Sequence, residues 1–254
     1  MASASALRTE IEHDLERRFA AALTPRPRTI RETATTGIAE AERLLQGGLP
    51  VGAISEVIGP ECSGRTSLLL AFLAQRTQQG QVCAWVDAHD CFDAESAAAS
   101  GVSLGQLLWV RCKSTAFTAK AKPWSQLDQA LRATDLLLQA SGFAALVLDL
   151  GGTAAEHGFR IPSATWFRFR QAAYRTRCSL LVLAQEPLTQ SSAAAVVECA
   201  PWREETGNET VLRGRRYELR TVRAATASRL IASGMRKPPM STWVATGTWQ
   251  REKP

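Results

Sequence analysis

The chain has no run of 18 apolar residues, so no segment of it is a membrane-crossing helix. An apolar signal core is missing too. Arg8, Glu10, Glu12, Asp14, Glu16, Arg17 and Arg18 break up the first twenty residues, which argues against a secretory signal. Cys62, Cys83, Cys91, Cys112, Cys178 and Cys199 occur without Cys-x-x-Cys spacing. No zinc site is expected from that pattern, and the thiols read as free, mostly buried cysteines of a cytoplasmic protein. The first 200 residues carry no net charge. The whole excess of +6 lies between Pro201 and Pro254, where eleven Arg/Lys face five Asp/Glu. A basic C-terminal segment on a neutral domain points to a polyanion contact or to a solvated tail.

What is present suffices for a core. Apolar residues make up 45% of 254, which suits one α/β domain with small appendages. Leu7, Ile11, Leu15, Phe19 and Leu23 recur every four residues, the stripe of an amphipathic helix that ends before the stiff linker Pro25-Arg26-Pro27-Arg28. That stripe must be covered by its own domain, by a second copy or by a partner. Residues 38–45 read as a helix closed by Gly47-Gly48. Strands are predicted at 53–58, 82–87, 107–112, 143–149, 179–185 and 193–199, and helices at 67–74, 94–100, 125–141 and 162–177. Residues 151–161 read as a Gly-containing loop, and 217–222 as an antiparallel edge strand. Composition turns polar and Pro-containing from Ala225, and no element is assigned there. The organisation expected is an N-terminal helix and linker over 1–28, a nucleotide-binding core over 29–224, and a basic tail over 225–254. Continuous apolar strands alternating with helices mean a mainly parallel sheet with helices on both faces. Ligands of such sheets lie at the carboxyl ends of the strands.

The chemistry lies at those ends. Gly59-Pro60-Glu61-Cys62-Ser63-Gly64-Arg65-Thr66-Ser67 fits the phosphate-loop pattern G-x-x-x-x-G-K-[ST] except that Arg65 replaces the lysine. The N–H groups of such a loop wrap an anion, and the following helix adds its positive end. Thr66 (or Ser67) offers a hydroxyl to Mg²⁺, and Asp149, closing an apolar strand 84 residues after Arg65, supplies the carboxylate of a Walker B site. The ligand so implied is ATP with Mg²⁺. Arg65 keeps the charge but is longer and planar, so it is compatible with binding and costly for hydrolysis.

Thr36-Gly37, the run Leu44-Leu45-Gln46-Gly47-Gly48-Leu49-Pro50-Val51-Gly52 and the continuous stretch to Thr66 resemble the entry strand and Walker A of the bacterial RecA recombinase family. Ala84-Trp85-Val86-Asp87-Ala88, Gly101-Val102-Ser103 with Leu107-Leu108, and the strand ending at Asp149 are similar as well. Leu180-Leu181-Val182-Leu183-Ala184-Gln185 resembles the strand whose terminal Gln senses the γ-phosphate. The likeness covers roughly residues 30–200 and implies a P-loop NTPase fold of the RecA type. Three departures stand out. His89 occupies the place of the family's water-activating Glu. A neutral imidazole could accept a proton, but beside a triphosphate it should protonate, so His89 is expected to be non-catalytic, with Asp90 and Asp93 as weak substitutes. Only about seven residues follow Gln185 where the family has its second DNA loop, and the first loop (151–161) is short. The length, the strand Leu107-Leu108-Trp109-Val110-Arg111, Ala130-Leu131-Arg132 with Ser141-Gly142, and Ser191-Ser192-Ala193-Ala194 resemble the shortened RecA-like branch typified by ImuA. That resemblance implies an accessory of SOS mutagenesis and translesion synthesis that contacts RecA or polymerase components.

Arg160, Arg168, Arg170, Arg175 and Arg177, with His157 and interleaved Trp166, Phe167, Phe169 and Tyr174, form an acid-free stretch suited to single-stranded DNA. Alternatively the aromatics face the sheet and the arginines water. A second basic cluster contains Arg213, Arg215, Arg216, Arg220 and Arg223, but strand alternation splits it across two faces. Two further functions compete with the accessory role. One is a working DNA-dependent ATPase or compact recombinase. The other is a non-enzymatic module that modulates RecA filaments through the N-terminal helix.

Overall fold

The computed structural model describes residues 32–112, 124–201, 215–223 and 240–245. All of them belong to one unit, Arg31–Pro254. The amphipathic N-terminal stripe lies outside the described residues.

A short hairpin-like pair, β1 (Thr33–Ala34) and β2 (Leu49–Pro50), flanks helix α1 (Ala39–Leu45). The main sheet has eight strands. They are β3 (Ile54–Ile58), β4 (Cys83–Asp87), β5 (Leu107–Arg111), β6 (Ala145–Asp149), β7 (Ser179–Ala184), β8 (Ala193–Pro201), β9 (Arg215–Arg223) and β10 (Met240–Ala245). Their spatial order is β10-β9-β8-β3-β7-β6-β4-β5. From β8 to β5 every pairing is parallel, and β9 and β10 extend the sheet antiparallel. The expected α/β class with a mainly parallel sheet is therefore what the chain adopts.

The helices are α2 (Arg65–Gln78), α3 (Ala94–Ala99), α4 (Trp124–Ala140), α5 (Ala155–Gly158) and α6 (Ser163–Thr176). Strand alternation sends Val57, Trp85, Val147, Leu181 and Leu183 into one apolar layer with Leu68, Leu69, Phe72 and Leu73 of α2. Ile54, Ile58, Val86, Leu146, Leu148 and Val182 enter the opposite layer with Leu138 of α4 and Trp166 and Phe169 of α6. Each central strand is thus buried on both faces, which is why its sequence is continuously apolar. The free thiols divide as expected in part: Cys83, Cys112, Cys178 and Cys199 are buried, whereas Cys62 and Cys91 are exposed.

Three expectations change here. The strand at 217–222 is not at the edge, because β10 pairs outside it with Met240 opposite Arg220 and Ala245 opposite Arg215. Part of the segment left without structure after Ala225 is therefore a strand. Its polar and Pro-containing surroundings hid a six-residue run whose Thr242, Trp243 and Val244 favour a strand and which pairs with β9. The 151–161 loop also holds the single-turn helix α5.

Candidate nucleotide site

The carboxyl ends of β3, β7, β6 and β4 lie side by side, in register Ile58–Ala184, Asp149–Leu183 and Asp87–Asp149. Every residue marked by sequence for phosphate or metal chemistry follows or ends one of these strands.

The loop after β3 is shaped by two glycines. Gly59 has φ 146°, and a Cβ there would sit 2.1 Å from the Cys199 carbonyl oxygen of β8. Gly64 has φ 87°, and its Cβ would meet the Tyr217 ring at 2.7 Å. Tyr217 of β9 thus packs directly on the last glycine of the loop, a contact that nothing in the local sequence announces. Between them, Cys62 is held at φ 59°. Helix α2 begins at Arg65, and Leu68 N–H is the first to find an intrahelical acceptor of this turn, Gly64 O at 3.0 Å. The N–H groups of Arg65, Thr66 and Ser67 ahead of it have no acceptor within the helix, as at any helix N-terminus. Ser63 is buried with no partner for its Oγ, whereas Pro60, Glu61, Cys62 and Thr66 are exposed and Ser67 half-buried. An anion cradle with an unpaired hydroxyl inside it fits phosphate groups.

Arg65 does not stand free over that cradle. Its side chain is buried, and Nη1 donates to Ala184 O at 2.6 Å at the end of β7. Burial pulls its pKa down, opposed by Asp149, Cys199 and Glu61. It remains a cation, as arginine does in proteins.

Asp149 accepts the Gly151 N–H at 2.9 Å. Burial pushes its carboxyl up to about 6; the Gly151 N–H lowers it, neighbouring Asp87 raises it, and Arg65 and Trp85 lower it. Gln185 Nε2 donates to Gly151 O at 3.0 Å, so the Gln185 side chain bridges the ends of β7 and β6. His89 lies against Gly152, where a Cβ would be 3.0 Å from its ring. Burial lowers the His89 pKa against the raising effect of Asp87, and Nδ1 is buried without a partner. Asp90 forms a two-bond pair with Arg111 at 2.6 Å, and Asp93 caps α3 through Glu95 N–H at 3.1 Å. Both carboxylates named as weak substitutes for a base are committed to structural pairs.

Two residues to which the sequence reading gave no role of their own organise the site. Asp87 is fully buried and accepts the N–H groups of His89 (3.2 Å), Cys91 (3.0 Å) and Phe92 (2.9 Å) and the Trp109 indole N–H (3.3 Å). It shapes the turn that presents His89. Glu56, in the middle of β3, is also fully buried. Its Oε1 accepts Leu188 N–H at 2.6 Å and Thr189 N–H at 3.1 Å, and its Oε2 accepts the Thr189 hydroxyl at 2.6 Å. Burial raises the Glu56 pKa in spite of those bonds and of nearby Arg223. Arg223 itself donates to Gln190 O at 2.5 Å. Leu188 packs so closely on Gly158 that a Cβ there would lie 2.6 Å away. The clipped segment after Gln185 is thereby fastened to β3, to β9 and to the short α5 loop. A charged residue amid Ile-Ser-Glu-Val-Ile was the available signal for this latch.

The arginines singled out for DNA are not brought together. Arg160 is exposed between α5 and α6, Arg168 pairs with Asp135 at 3.0 Å, and the Arg170 guanidinium lies 5.0 Å from the Phe167 ring centre. Arg175 is exposed on the last turn of α6, and Arg177, the left-handed C-cap, pairs with Glu32. Arg215 and Arg216 belong to another element, β9, opposite Ala245 and Val244. Arg220 pairs with Glu198 at 2.5 Å, and Arg213 lies outside the described residues. Trp166 and Phe169 face the core, while Phe167 and Tyr174 are 48% and 72% exposed. Neither sequence alternative for α6 is met in full, since its aromatics divide between core and solvent. Among the described residues no group of His, Cys, Asp and Glu forms a metal cluster, and no helix is long and apolar enough to cross a membrane.

The RecA N-terminal domain family matches residues 4–151, which includes the phosphate loop, β4 and the strand ending at Asp149. Proteins named RecA from Pseudomonas fluorescens strain SBW25, Pseudomonas tolaasii and Pseudomonas syringae pv. syringae are each 39% identical over 103 residues, 41% of this chain and 26% of theirs. The aligned part is thus about a quarter of those relatives' length. With more than half of its residues inside the family match, the chain belongs to the RecA family through the N-terminal domain.

Proposed function

We propose that this protein is a RecA-like accessory of DNA repair within the SOS response, acting in translesion synthesis, which binds nucleotide and hydrolyses it weakly or not at all. The observation that carries the reading is Arg65. The residue at the Walker lysine position is bound to Ala184 O at 2.6 Å, an engagement a γ-phosphate would have to displace. His89 at the Glu position and the fastened segment after Gln185 support the same direction, because a recombinase couples nucleotide state to mobile DNA loops. ATP and Mg²⁺ are the ligands of the fold type. Gly59 to Ser67 would cradle the phosphates; Thr66 and Asp149 stand at the positions where that fold type holds a metal, and Gln185 at the one that reports on the terminal phosphate. The partners proposed are RecA or polymerase components, single-stranded DNA through α6, and a second copy through the N-terminal stripe, in the cytoplasm.

Equilibrium binding of ADP and ATP alongside a turnover assay, with and without single-stranded DNA, tests this reading. Binding without appreciable turnover, and turnover gained in Arg65→Lys, are the expected results. Wild-type turnover stimulated by DNA and abolished by Asp149→Ala would replace it with an active ATPase.

A further inference from the structure

The phosphate cradle and the metal position make different demands on Arg65. The loop carries its two positive-φ glycines, Gly59 and Gly64, Ser63 Oγ is buried and unpaired, and the first N–H groups of α2 have no acceptor within the helix. Beside the loop, Asp149 and Arg65 both approach Gly151: a Cβ placed there would meet Leu183 Cδ2 at 2.6 Å, Asp149 Oδ1 at 3.1 Å and Arg65 Nη1 at 3.8 Å. Arg65 is fixed there by its 2.6 Å bond to Ala184 O, and the Gln185 amide bonds Gly151 O at 3.0 Å. A divalent ion at Asp149 would be set beside a guanidinium of like charge. A third phosphate reaching toward Asp149 and Gln185 would have to displace both hydrogen bonds. The α- and β-phosphates ask for neither change, since loop N–H groups and the helix end suffice for them.

Resting on the nucleotide-binding reading above, we propose that the site selects a nucleoside diphosphate over a magnesium-bound triphosphate, with the Arg65 guanidinium as the cation facing Asp149 in place of the metal. Magnesium then contributes little to affinity.

The test is isothermal titration of the full chain with ADP and with ATP, each in Mg²⁺ and in EDTA. The proposal expects ADP to bind at least as tightly as ATP with Mg²⁺, and Mg²⁺ to tighten ATP by less than tenfold. ATP with Mg²⁺ binding tighter than ADP, or a metal effect of tenfold or more (about 1.4 kcal/mol), overturns it while leaving nucleotide binding in place. No binding of either nucleotide at millimolar concentration overturns the nucleotide reading itself, and this inference with it. Arg65→Lys, checked for fold by circular dichroism, should gain a metal dependence of at least tenfold for ATP. A lysine variant as indifferent to Mg²⁺ as the wild type would show that Arg65 is not the determinant.

Discussion

Replacing Glu56 with alanine should free the segment after Gln185 and lower stability by roughly 2–4 kcal/mol. Glu56 is fully buried and accepts three hydrogen bonds, from Leu188 N–H, Thr189 N–H and the Thr189 hydroxyl. An orphaned buried donor costs ~1–3 kcal/mol, which sets a ceiling well above that figure. Two effects reduce it. The variant no longer has to bury a carboxylate, and the loosened segment can take up water. Glu56→Gln is the sharper comparison. Its amide oxygen can still accept the two N–H groups and its NH₂ can donate to Thr189 Oγ1, so at pH 7 it should lie within about 1 kcal/mol of wild type. The pH dependence separates the charge from the bonds. Burial raises the folded-state pKa of Glu56 above 4.5, so the native state holds its proton more firmly than the unfolded chain. The stability this contributes is complete below the unfolded pKa and is lost as pH rises through the folded one. Wild type should therefore lose stability relative to Glu56→Gln as pH rises from 4.5 upward. Urea unfolding at several pH values gives the energies, and amide hydrogen exchange gives the location. Glu56→Ala within about 0.5 kcal/mol of wild type, with exchange at 186–192 unchanged, would refute the latch. A pH-independent difference between wild type and Glu56→Gln would refute the electrostatic part.

Gly64→Ala should destabilise by more than about 2 kcal/mol and abolish nucleotide binding, because the Cβ meets the Tyr217 ring at 2.7 Å in a left-handed backbone. Adding Tyr217→Ala should restore part of the stability, read as a double-mutant cycle in urea. Arg170→Ala and Arg175→Ala should each lower the salt slope of single-stranded DNA binding by about 1. Unchanged slopes would remove α6 from the DNA contact. Arg168→Ala should change stability by less than about 1 kcal/mol, since its pair with Asp135 is solvent-exposed, and thermal melts will show whether it does.

The parallel core was legible because every central strand is covered on both faces, and so is written as an unbroken apolar run ending in a polar residue. The loop after β3 was legible as a candidate phosphate loop because a chain that wraps an anion needs glycine at fixed places, and Gly59 and Gly64 stand there. The same local rules could not show β10. Thr242, Trp243 and Val244 are strand-favouring residues, but the run is only six residues long within polar, Pro-containing sequence, and the pairing with β9 that fixes it is not written locally. Glu56 looked like one acid in an apolar strand, and its role depends on Leu188 and Thr189, more than 130 residues later. The arginines at 160–177 formed one cluster in the sequence. Helical spacing and ion pairs with Asp135 and Glu32 dispersed them.

By itself the sequence determined the class of sheet, the strand ends where the candidate site lies and a loop with the phosphate-binding pattern, because these follow from local patterning and from residue types with no substitute. Only the tertiary structure decided where the Arg65 charge goes. A flexible cation takes the best acceptor within reach, and that acceptor, Ala184 O, is supplied by a strand 119 residues away.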